Sequence, residues 1–486
     1  MIINRSFKDF KFRHRSKKNQ IIYSSKKVEN DDEVFNLIDN FLTEKNSFIF
    51  ESVEKGKIKG RYTIFGKNPD KIWEFNNNNS YLIKNKKKIR LREKPNKLIE
   101  KIIEEFKFET PKKLPNICSL ISGYISYDSI RYIEKIPNNC KNDLNLPDVR
   151  LLRPRTLIIH DNLKKEIFFI INIFSDEKIN NYQKKFDDIK FELFKLNIQS
   201  SIRNLKTLEN NILKDIKVKS NTSKNKFLKM VNKAKEYIKL GDIFQVVLSQ
   251  RFEAKLTKKP LDIYKKLRIT NPSPFMFFFN FDDFQIIGAS PEILVRLRDG
   301  KITVRPIAGT RPRGKTAKED LFYEKDLLKD KKELSEHLML LDLGRNDAGK
   351  VSKINSIRVT ESFIIERYSH VMHIVSNVVG EYNKKFSKFK SLLAGFPAGT
   401  VSGAPKIRAM EIIDELETTK RKVYAGGIGY FSANGEFDTC IALRTAVAKN
   451  KKFYVQAGAG IVADSKTKKE YEETVNKAKA LINALR

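Results

Sequence analysis

Cysteine, histidine and tryptophan are scarce in this chain of 486 residues, which contains three, five and one of them. Cys118, Cys140 and Cys440 lie far apart and form no Cys-x-x-Cys pair. This spacing argues against a disulfide framework and against a zinc site, and so few cysteines are typical of a reducing compartment. We therefore expect a cytoplasmic protein.

Long hydrophobic runs are also missing. No window approaches the roughly 18 consecutive apolar residues of a membrane-spanning helix, so the sequence predicts no membrane protein. The amino terminus is basic but lacks the apolar stretch that a secretory signal needs. Because 40% of the residues are hydrophobic, the chain still has enough apolar material for a sizeable core.

Acidic residues are outnumbered, since 59 Asp and Glu face 95 Lys and Arg and the net charge is +36. Such an excess can indicate nucleic-acid binding, because Lys and Arg neutralise phosphates. Here, however, Lys is scattered together with much Asn and Ile, and a genome rich in A and T can produce that composition. With no zinc-finger spacing, RNP-like strand or basic zipper, we expect no nucleic-acid partner. The positive field would still attract anionic metabolites.

The chain divides into two unequal parts. Residues 1–203 alternate short apolar strands with charged turns, and the polar stretch 204–225 is typical of a linker or a surface helix. Residues 226–486 concentrate glycine, proline and motif-like segments. This pattern predicts a mixed α/β protein whose functional loops lie in the second part. Helices are predicted near 226–239, 318–341, 405–417 and 468–485.

Two of these predicted helices carry pairs of carboxylates. Glu333 and Glu336 lie three residues apart in one helix, and Glu470, Glu473 and Lys477 share a face of the last helix. Carboxylates that converge from two helices suit Mg²⁺, although such pairs are more often solvated surface in a chain with 32% charged residues. The predicted apolar stripes beside them are Leu327, Leu334, Leu338 and Leu341, and Tyr471, Val475, Ala478, Ile482 and Leu485.

Glycine-containing stretches mark further candidate sites. Residues 394–406 lead into a helix with Pro405 in its predicted first turn, where backbone N–H groups suit an anion. Residues 456–465 form a predicted strand whose small side chains let the backbone approach a ligand closely. Either stretch could equally be an ordinary tight turn. Arg444 lies in a predicted apolar strand and would need an anion if it points inward. His373 could face a site, although a lone histidine is more often structural.

Taken together, these segments resemble the chorismate-utilising enzymes, and within that family the large subunits of anthranilate synthase. The matching segments follow the family order and cover essentially all of 241–485. The amino-terminal part resembles the same subunits more loosely, mainly through residues 48–66, and lacks their Asp…Thr-Pro signature. The matching segments are 241–250, 271–278, 288–292, 305–314, 335–347, 367–376, 394–406, 424–431, 438–446, 456–465 and 470–478.

The resemblance implies a large α/β (α+β) fold with two facing, mainly antiparallel sheets and helices outside. It assigns Mg²⁺ to Glu336 and Glu473, with Glu333 and Glu470 as supporting carboxylates. It assigns catalysis to His373, Gln245 and Thr310. The substrate contacts that it implies are Tyr424, Arg444, Thr400, Lys477 and the backbone of Gly458, Ala459 and Gly460.

The chemistry that the resemblance implies is attack of ammonia at C2 of chorismate with loss of the C4 hydroxyl, assisted by Mg²⁺ as Lewis acid. Elimination of pyruvate then gives anthranilate. Members that use water carry Lys where this chain has Gln245, and a neutral amide cannot take a proton from water. Aminodeoxychorismate synthases carry a Lys nucleophile where this chain has Ala308. Aminodeoxychorismate synthase component I remains the alternative.

Two partners follow from the same resemblance. None of the three cysteines has the glycine-rich setting of a glutaminase nucleophile, so we expect a separate glutamine amidotransferase subunit and a hetero-oligomer. In the resembling enzymes tryptophan binds away from the active site. Here the matching positions are Glu51 and Ser52 on one segment and Pro274, Phe275 and Met276 on another, with Cys440 nearby. The alternative is that these segments are an ordinary edge strand and an ordinary turn.

Overall fold

The computed structural model describes residues 3–28, 32–54, 58–201, 216–368 and 371–486. Its strands are β1 Gln20–Lys27, β2 Ser47–Glu51, β3 Val53–Glu54, β4 Ile58–Lys59, β5 Tyr62–Asn76, β6 Asn79–Lys84, β7 Lys87–Leu91, β8 Leu120–Ile125, β9 Val149–Asp161, β10 Glu166–Ile173, β11 Val218–Ser220, β12 Gln245–Lys255, β13 Phe275–Asn280, β14 Gln285–Ser290, β15 Ile293–Arg298, β16 Lys301–Val304, β17 Ile307–Pro312, β18 Arg358–Arg367, β19 Val371–Glu381, β20 Gly403–Ala404, β21 Gly427–Ser432, β22 Phe437–Ile441, β23 Thr445–Lys449 and β24 Lys452–Ile461. Its α-helices are α1 Phe7–Arg15, α2 Asp32–Phe41, α3 Pro95–Glu105, α4 Tyr182–Ser201, α5 Lys224–Lys239, α6 Pro260–Thr270, α7 Ala317–Lys329, α8 Lys331–Gly349, α9 Lys388–Ala394, α10 Lys406–Leu416 and α11 Thr467–Asn483. Two 3-10 helices span Tyr127–Tyr132 and Gly399–Val401.

Two long strands, β5 and β9, connect the two halves of a large antiparallel sheet. At one end they continue through β10 to β1, and through β2, β13, β14, β23 and β24 to β12. At the other end they continue through β6 to β7, and through β8, β21, β22, β15 and β16 to β19. A register shift between Pro69 and Lys71 separates the two ends, and such a bulge bends a strand.

The two halves of the sheet face each other across an aromatic core. Phe50 on β2 packs against Tyr430 on β21, with ring centroids 5.8 Å apart. Tyr124 on β8 contacts Phe281 and Phe284, which lie between β13 and β14, at 5.9 and 6.0 Å. Large rings bury much apolar area, and tilted contacts of this kind are favourable. The prediction of two facing antiparallel sheets is confirmed.

Helices cover the outer surfaces of both halves. Side chains of α1, α2, α4, α6 and α11 form a second buried cluster with the outer face of β10, β13, β14 and β24, and its largest members include Phe10, Phe41 and Tyr264. The helices α7 and α8 pack on β17 and β19, while α5 and α10 pack on β12. Within the described part of the chain, no helix is long and apolar enough to cross a membrane.

The two predicted parts of the chain share this sheet. Strand β2 pairs with β13, and β8 pairs with β21, so residues from 1–203 are hydrogen-bonded directly to residues from 226–486. Of the predicted linker 204–225, residues 204–215 lie outside the described residues. The remainder forms β11, which pairs with β12, and the start of α5.

Several predicted helix details are wrong. The segment predicted as one helix over 318–341 forms α7 and α8, which meet at Asp330. The Asp330 carboxylate caps α8 by accepting from the backbone N–H of Lys332 and Glu333. Leu338 is 50% exposed, because the buried face of α8 carries His337, Leu340 and Leu341 instead. The predicted stripe on α11 is likewise shifted, since Glu470 and Thr474 are buried while Tyr471 and Val475 are half-buried. Pro405 precedes α10 as its N-cap residue.

The predicted strand around Arg444 is also wrong. Strand β22 ends at Ile441 and β23 begins at Thr445, so Arg444 lies in the connection between them. Its φ of +45° is in the left-handed region, which side chains other than glycine rarely adopt. Sequence periodicity could not show this, because most residues of the surrounding stretch 440–448 are apolar.

A buried ion pair connects three of these elements. Arg421 donates to Glu417 through Nη2 at 2.6 Å and through Nε at 3.0 Å. The same guanidinium donates to the carbonyl oxygens of Val401 and Val247 at 2.7 and 2.6 Å. Glu417 in turn accepts from the backbone N–H and the hydroxyl of Ser249, both at 2.8 Å. The end of α10, strand β12 and the Gly399–Val401 turn are thereby held together.

Removing one member of this pair should destabilise the fold strongly. Glu417→Gln leaves the Arg421 charge buried without its counter-ion, and we expect unfolding to become easier by about 3–5 kcal/mol. The exposed pair of Lys233 and Glu236 on α5 provides the control, because Glu236→Gln should change stability by less than about 1 kcal/mol. Urea denaturation followed by circular dichroism measures both. Equal effects of the two substitutions would contradict this account.

Candidate active site

The first residue of β12, Gln245, contacts a carboxylate on α8. Its amide Nε2 donates to Glu336 Oε1 at 2.8 Å, and the side chain is buried. Its buried Oε1 has no hydrogen-bond partner among the described residues. A Cβ at Gly460 on the neighbouring β24 would lie 2.8 Å from Gln245 Nε2 and 3.7 Å from Glu336 Oε1. The backbone of β24 therefore approaches these side chains as closely as only glycine allows.

The two pairs of carboxylates lie on α8 and α11. Burial raises the pKa of Glu333 on α8, and the nearby carboxylate of Glu336 adds to this. Burial also raises the pKa of Glu470 on α11, with Glu473 adding to it and the positive charge of Lys332 on α8 opposing it. No group of three or more His, Cys, Asp or Glu side chains within the described ranges is arranged to hold a metal by itself. Two carboxylates still suit Mg²⁺, which usually keeps waters and takes oxygens from a substrate.

Lys477 on α11 contacts one carboxylate and one backbone group of the candidate site. Its Nζ donates to Glu473 Oε1 at 2.6 Å and to the carbonyl oxygen of Gly458 at 3.1 Å. Its charge also acts on His373 on β19 and on Glu292 between β14 and β15. One cation thus lies within electrostatic range of α11, β19 and the segment between β14 and β15.

His373 on β19 is held by the strand beside it. Its Nδ1 lies 2.8 Å from the carbonyl oxygen of Gly309 and 3.1 Å from the hydroxyl of Thr310. Burial lowers the pKa of His373 to about 4, and the charges of Arg444 and Lys477 contribute. The imidazole is therefore neutral at pH 7. Since Nδ1 carries the proton that is donated to the Gly309 carbonyl, Nε2 keeps a free lone pair.

Arg444 is a partly buried cation without a carboxylate partner. Burial lowers the pKa of its guanidinium, and the described residues place no Asp or Glu within ion-pair distance of it. Its backbone carbonyl accepts from the N–H of Ala289, which fixes the left-handed connection. A desolvated cation of this kind is stabilised by an anion, and a strained backbone conformation is often found at functional sites.

Glu292, between β14 and β15, belongs to the same site and was not singled out from the sequence. Its Oε1 accepts from the hydroxyl of Thr400 at 3.1 Å, and the side chain is 6% exposed. Burial raises the pKa of Glu292 to about 8, although Thr400, the Ile307 N–H and Lys477 oppose this shift. At neutral pH it is mostly protonated and can donate a proton. The available signal was an acidic residue inside the otherwise apolar run IIGASPEILV.

Tyr424 and Gly458 form another close approach. A Cβ at Gly458 would lie 2.7 Å from the Tyr424 hydroxyl and 2.9 Å from the carbonyl oxygen of Leu248. Burial raises the pKa of Tyr424 to about 12, so it is a neutral hydrogen-bonding group. Arg421 lies 5.6 Å from the centre of its ring. Of the predicted substrate contacts, Ala459 is fully buried in β24.

A separate cavity of about 1120 Å³ lies between the two halves of the sheet, and we call it the Ser52 cavity. Its lining includes all six residues predicted to bind tryptophan. The Glu51 carboxylate is already paired there, because Arg268 Nε donates to both of its oxygens at 2.7 and 2.8 Å and Tyr264 donates to it as well. The six residues are Glu51, Ser52, Pro274, Phe275, Met276 and Cys440.

The surroundings of the three cysteines disfavour their thiolate forms. Burial raises the pKa of Cys118 to about 12 and also raises the pKa of Cys140 and Cys440. A thiolate, and not a thiol, is the nucleophile in a glutaminase. The three thiols therefore give the chain no nucleophile of that kind.

Comparison with known proteins defines the class. The sequence model of the chorismate binding enzyme family matches residues 46–483, so the chain belongs to that family and is an enzyme of this kind. It is 46% identical to anthranilate synthase component 1 of Cereibacter sphaeroides, over 99% of this chain and 97% of that protein. It is also 46% identical to anthranilate synthase component 1 of Acetivibrio thermocellus, over 90% of each. The crystal structure of anthranilate synthase component I from Streptococcus pneumoniae TIGR4 matches with a TM-score of 0.78 and 39% identity, over 88% of this chain and 92% of that one.

These likenesses extend over nearly the full length of the chain. They support function as the large subunit of an anthranilate synthase, and they confirm the family and the fold inferred from the motifs.

The close approach at Gly460 gives a direct test of the site. Gly460→Ala would place a methyl group against Gln245 and Glu336, so we expect chorismate turnover to fall by about a hundred-fold or more while the fold is retained. Gly349→Ala is the matched control, because nothing lies within 4 Å of a Cβ at that position of α8. Steady-state kinetics and thermal melts of both variants provide the measurement. Turnover close to wild type in the Gly460 variant would rule out this geometry.

Proposed function

We propose that this chain converts chorismate and ammonia into anthranilate and pyruvate, as the first committed step of tryptophan biosynthesis in the cytoplasm. The observation that carries the proposal is the unpaired Arg444 cation, which lies within electrostatic range of His373. Chorismate is a dicarboxylate, and such a site suits an anionic substrate. Two neutral side chains support amination: Gln245 stands where water-using relatives have a lysine base, and Ala308 on β17 offers no amine nucleophile.

We propose that Glu336 and Glu473 hold Mg²⁺, with Glu333 and Glu470 as supporting carboxylates. The residues fit the ion, because burial and the neighbouring carboxylates of Glu336 and Glu473 raise the pKa values of Glu333 and Glu470, and a divalent cation would offset that negative charge. A bound Mg²⁺ supplies Lewis-acid polarisation of substrate oxygens. Lys477 pairs with Glu473, and Gln245 donates to Glu336.

The remaining contacts orient the substrate. Arg444 and Lys477 offer positive charge to its carboxylates, and the hydroxyls of Thr400 and Tyr424 offer hydrogen bonds. The backbone of Gly458–Gly460 provides space in which the substrate can lie against β24. Holding both carboxylates fixes the ring relative to the catalytic groups, which removes much of the entropic cost of the reaction.

Two groups of the chain can move protons at pH 7. Glu292 holds a proton, so it can donate one to the hydroxyl that leaves the ring. His373 has a free Nε2, so it can accept the proton from the carbon that has received ammonia. Thr310 lies 3.1 Å from His373 Nδ1 and helps to fix the imidazole. Gln245 can bind the nucleophile but cannot deprotonate it.

The source of nitrogen tests the proposal. The purified chain should form anthranilate from chorismate, Mg²⁺ and ammonium salts, but not from glutamine, until a glutamine amidotransferase subunit is added. Anthranilate fluorescence measures the reaction. Glu336→Gln removes a proposed metal ligand and should abolish the product without unfolding the chain, which excludes a contaminating activity. Glutamine-dependent synthesis by this chain alone would refute the two-subunit assignment, and absence of product from ammonium would refute the activity.

We further propose that the Ser52 cavity binds tryptophan and that binding favours a less active state. Its Pro274 and Met276 walls suit an indole, and Ser52 offers a hydroxyl. Glu51 can hold the amino group only by sharing its carboxylate with Arg268 and Tyr264. Inhibition requires tryptophan to bind the two states with different affinity.

Ser52→Phe tests this regulatory proposal. A phenyl ring would fill part of the cavity, so tryptophan should no longer raise the apparent KM for chorismate, while turnover without tryptophan should remain within about two-fold of wild type. Ser25→Phe, at an exposed position of β1, is the control and should leave inhibition intact. Chorismate kinetics at several tryptophan concentrations provide the measurement. Wild-type kinetics that do not respond to saturating tryptophan would contradict the regulatory proposal and leave the catalytic one standing.

A further inference from the structure

One aromatic side chain, Tyr368, belongs both to the Ser52 cavity and to the surroundings of His373. Its ring contacts the His373 imidazole with centroids 5.5 Å apart and planes inclined at 63°. The same side chain lines the cavity and is 9% exposed. It therefore forms part of the wall between the two sites.

The hydroxyl end of Tyr368 is held from the side of the cavity. It donates to Glu366 Oε2 at 2.9 Å, and Glu366 accepts from Arg305 Nη2 at 2.8 Å and Nη1 at 3.3 Å. Arg305 also donates to Glu361 at 2.8 Å. The backbone carbonyl of Tyr368 accepts from Arg313 Nη1 at 2.6 Å. All of these residues line the Ser52 cavity, so a ligand there can compete for the same charged groups.

The other side of Tyr368 faces the proposed catalytic groups. Burial raises the pKa of Tyr368, the carboxylate of Glu366 adds to this from the cavity, and Glu292 adds to it from the substrate site. Tyr368 also acts on the charge of Arg444. One side chain is thus in electrostatic or direct contact with His373, Glu292 and Arg444, while its hydrogen bond lies on the cavity side.

We propose that Tyr368 is a positioning residue that holds the His373 imidazole and transmits to it changes in the Ser52 cavity. When Glu366 is displaced, directly or through its ion pair with Arg305, the hydroxyl of Tyr368 loses its partner and the ring changes its tilt against His373. The imidazole then moves relative to the Gly309 carbonyl that orients it. A ligand in the cavity can alter catalysis by this route without touching the substrate. The proposal rests on the proposed function only in that His373 serves the chorismate reaction.

The positioning role is tested by NMR on the full chain labelled with ¹³C at histidine. Only five histidines are present, and His373→Gln identifies the relevant resonance. In wild type the midpoint of the His373 titration should lie at its lowered pKa of about 4. Tyr368→Leu removes the covering ring and should raise the midpoint by about one pH unit or more, whereas Tyr368→Phe should preserve it. Tyr323→Phe, on α7, controls for the loss of a tyrosine hydroxyl elsewhere. An unchanged midpoint in the Leu variant overturns the proposal.

Transmission is tested with two glutamates that both bind Arg305. Glu366→Leu removes the partner of the Tyr368 hydroxyl, whereas Glu361→Leu removes a carboxylate that bonds only to Arg305 in this group. We expect the first to shift the His373 resonance and the second to leave it in place. Equal shifts in both variants, or none in either, overturn transmission through Tyr368. Melting curves of both variants confirm that each is folded.

Kinetics separate this inference from the proposed function. With chorismate, ammonium and Mg²⁺, Tyr368→Leu should lower kcat about ten-fold or more and leave the chorismate KM within about two-fold, because Arg444 and Lys477 still hold the carboxylates. Tyr368→Phe keeps the ring against His373 but loses the hydrogen bond to Glu366, so its kcat should lie between those of Tyr368→Leu and wild type. A raised KM with unchanged kcat contradicts a positioning role. If wild type forms no anthranilate, the proposed function fails, and the NMR result alone decides the role of Tyr368.

Discussion

The geometry of the site depends on the buried ion pair between Glu417 and Arg421. A desolvated guanidinium must satisfy all of its N–H groups, so Arg421 fixes where Val247 and Val401 can lie. Val247 is two residues beyond Gln245 on β12, and Val401 follows Thr400. The pair thus sets the position of two proposed active-site residues through their backbones. Such a pair adds little net stability compared with well-packed apolar residues. Its role here is to fix the positions of the backbone groups that it binds.

Local electrostatics in the site oppose the overall charge of the chain. A net charge of +36 would be expected to depress the pKa of every carboxyl group. The pKa values of Glu292, Glu333 and Glu470 are nevertheless raised, because burial removes the water that stabilises a carboxylate. Burial lowers the pKa of His373, because it disfavours the charged imidazolium, and the charges of Arg444 and Lys477 lower it further. The imidazole is therefore neutral. The distant surface lysines are screened by solvent and contribute little at these positions.

Much of the fold class and many candidate residues could be predicted from the sequence, because motifs in a fixed order carry information about distant contacts. The six residues around the Ser52 cavity illustrate this, since two segments more than 200 residues apart line one cavity. Features set by tertiary structure alone could not be predicted. The break at Asp330 was hidden by continuous helical periodicity, and the left-handed Arg444 was hidden by its apolar neighbours. The raised pKa of Glu292 could not be predicted either, because it results from burial in the folded protein.

The two parts of the chain contribute neighbouring strands to one sheet, and this limits how far they can be separated. Strand β2 supplies one wall of the Ser52 cavity and one hydrogen-bonded neighbour of β13, which belongs to the catalytic part. Without residues 1–203, the edges of β13 and β21 would be left unpaired, and unpaired edges promote aggregation. The amino-terminal part therefore cannot be removed as an independent module without exposing these edges. A substitution in either part can alter the packing of the other, because both parts contribute strands to one common sheet.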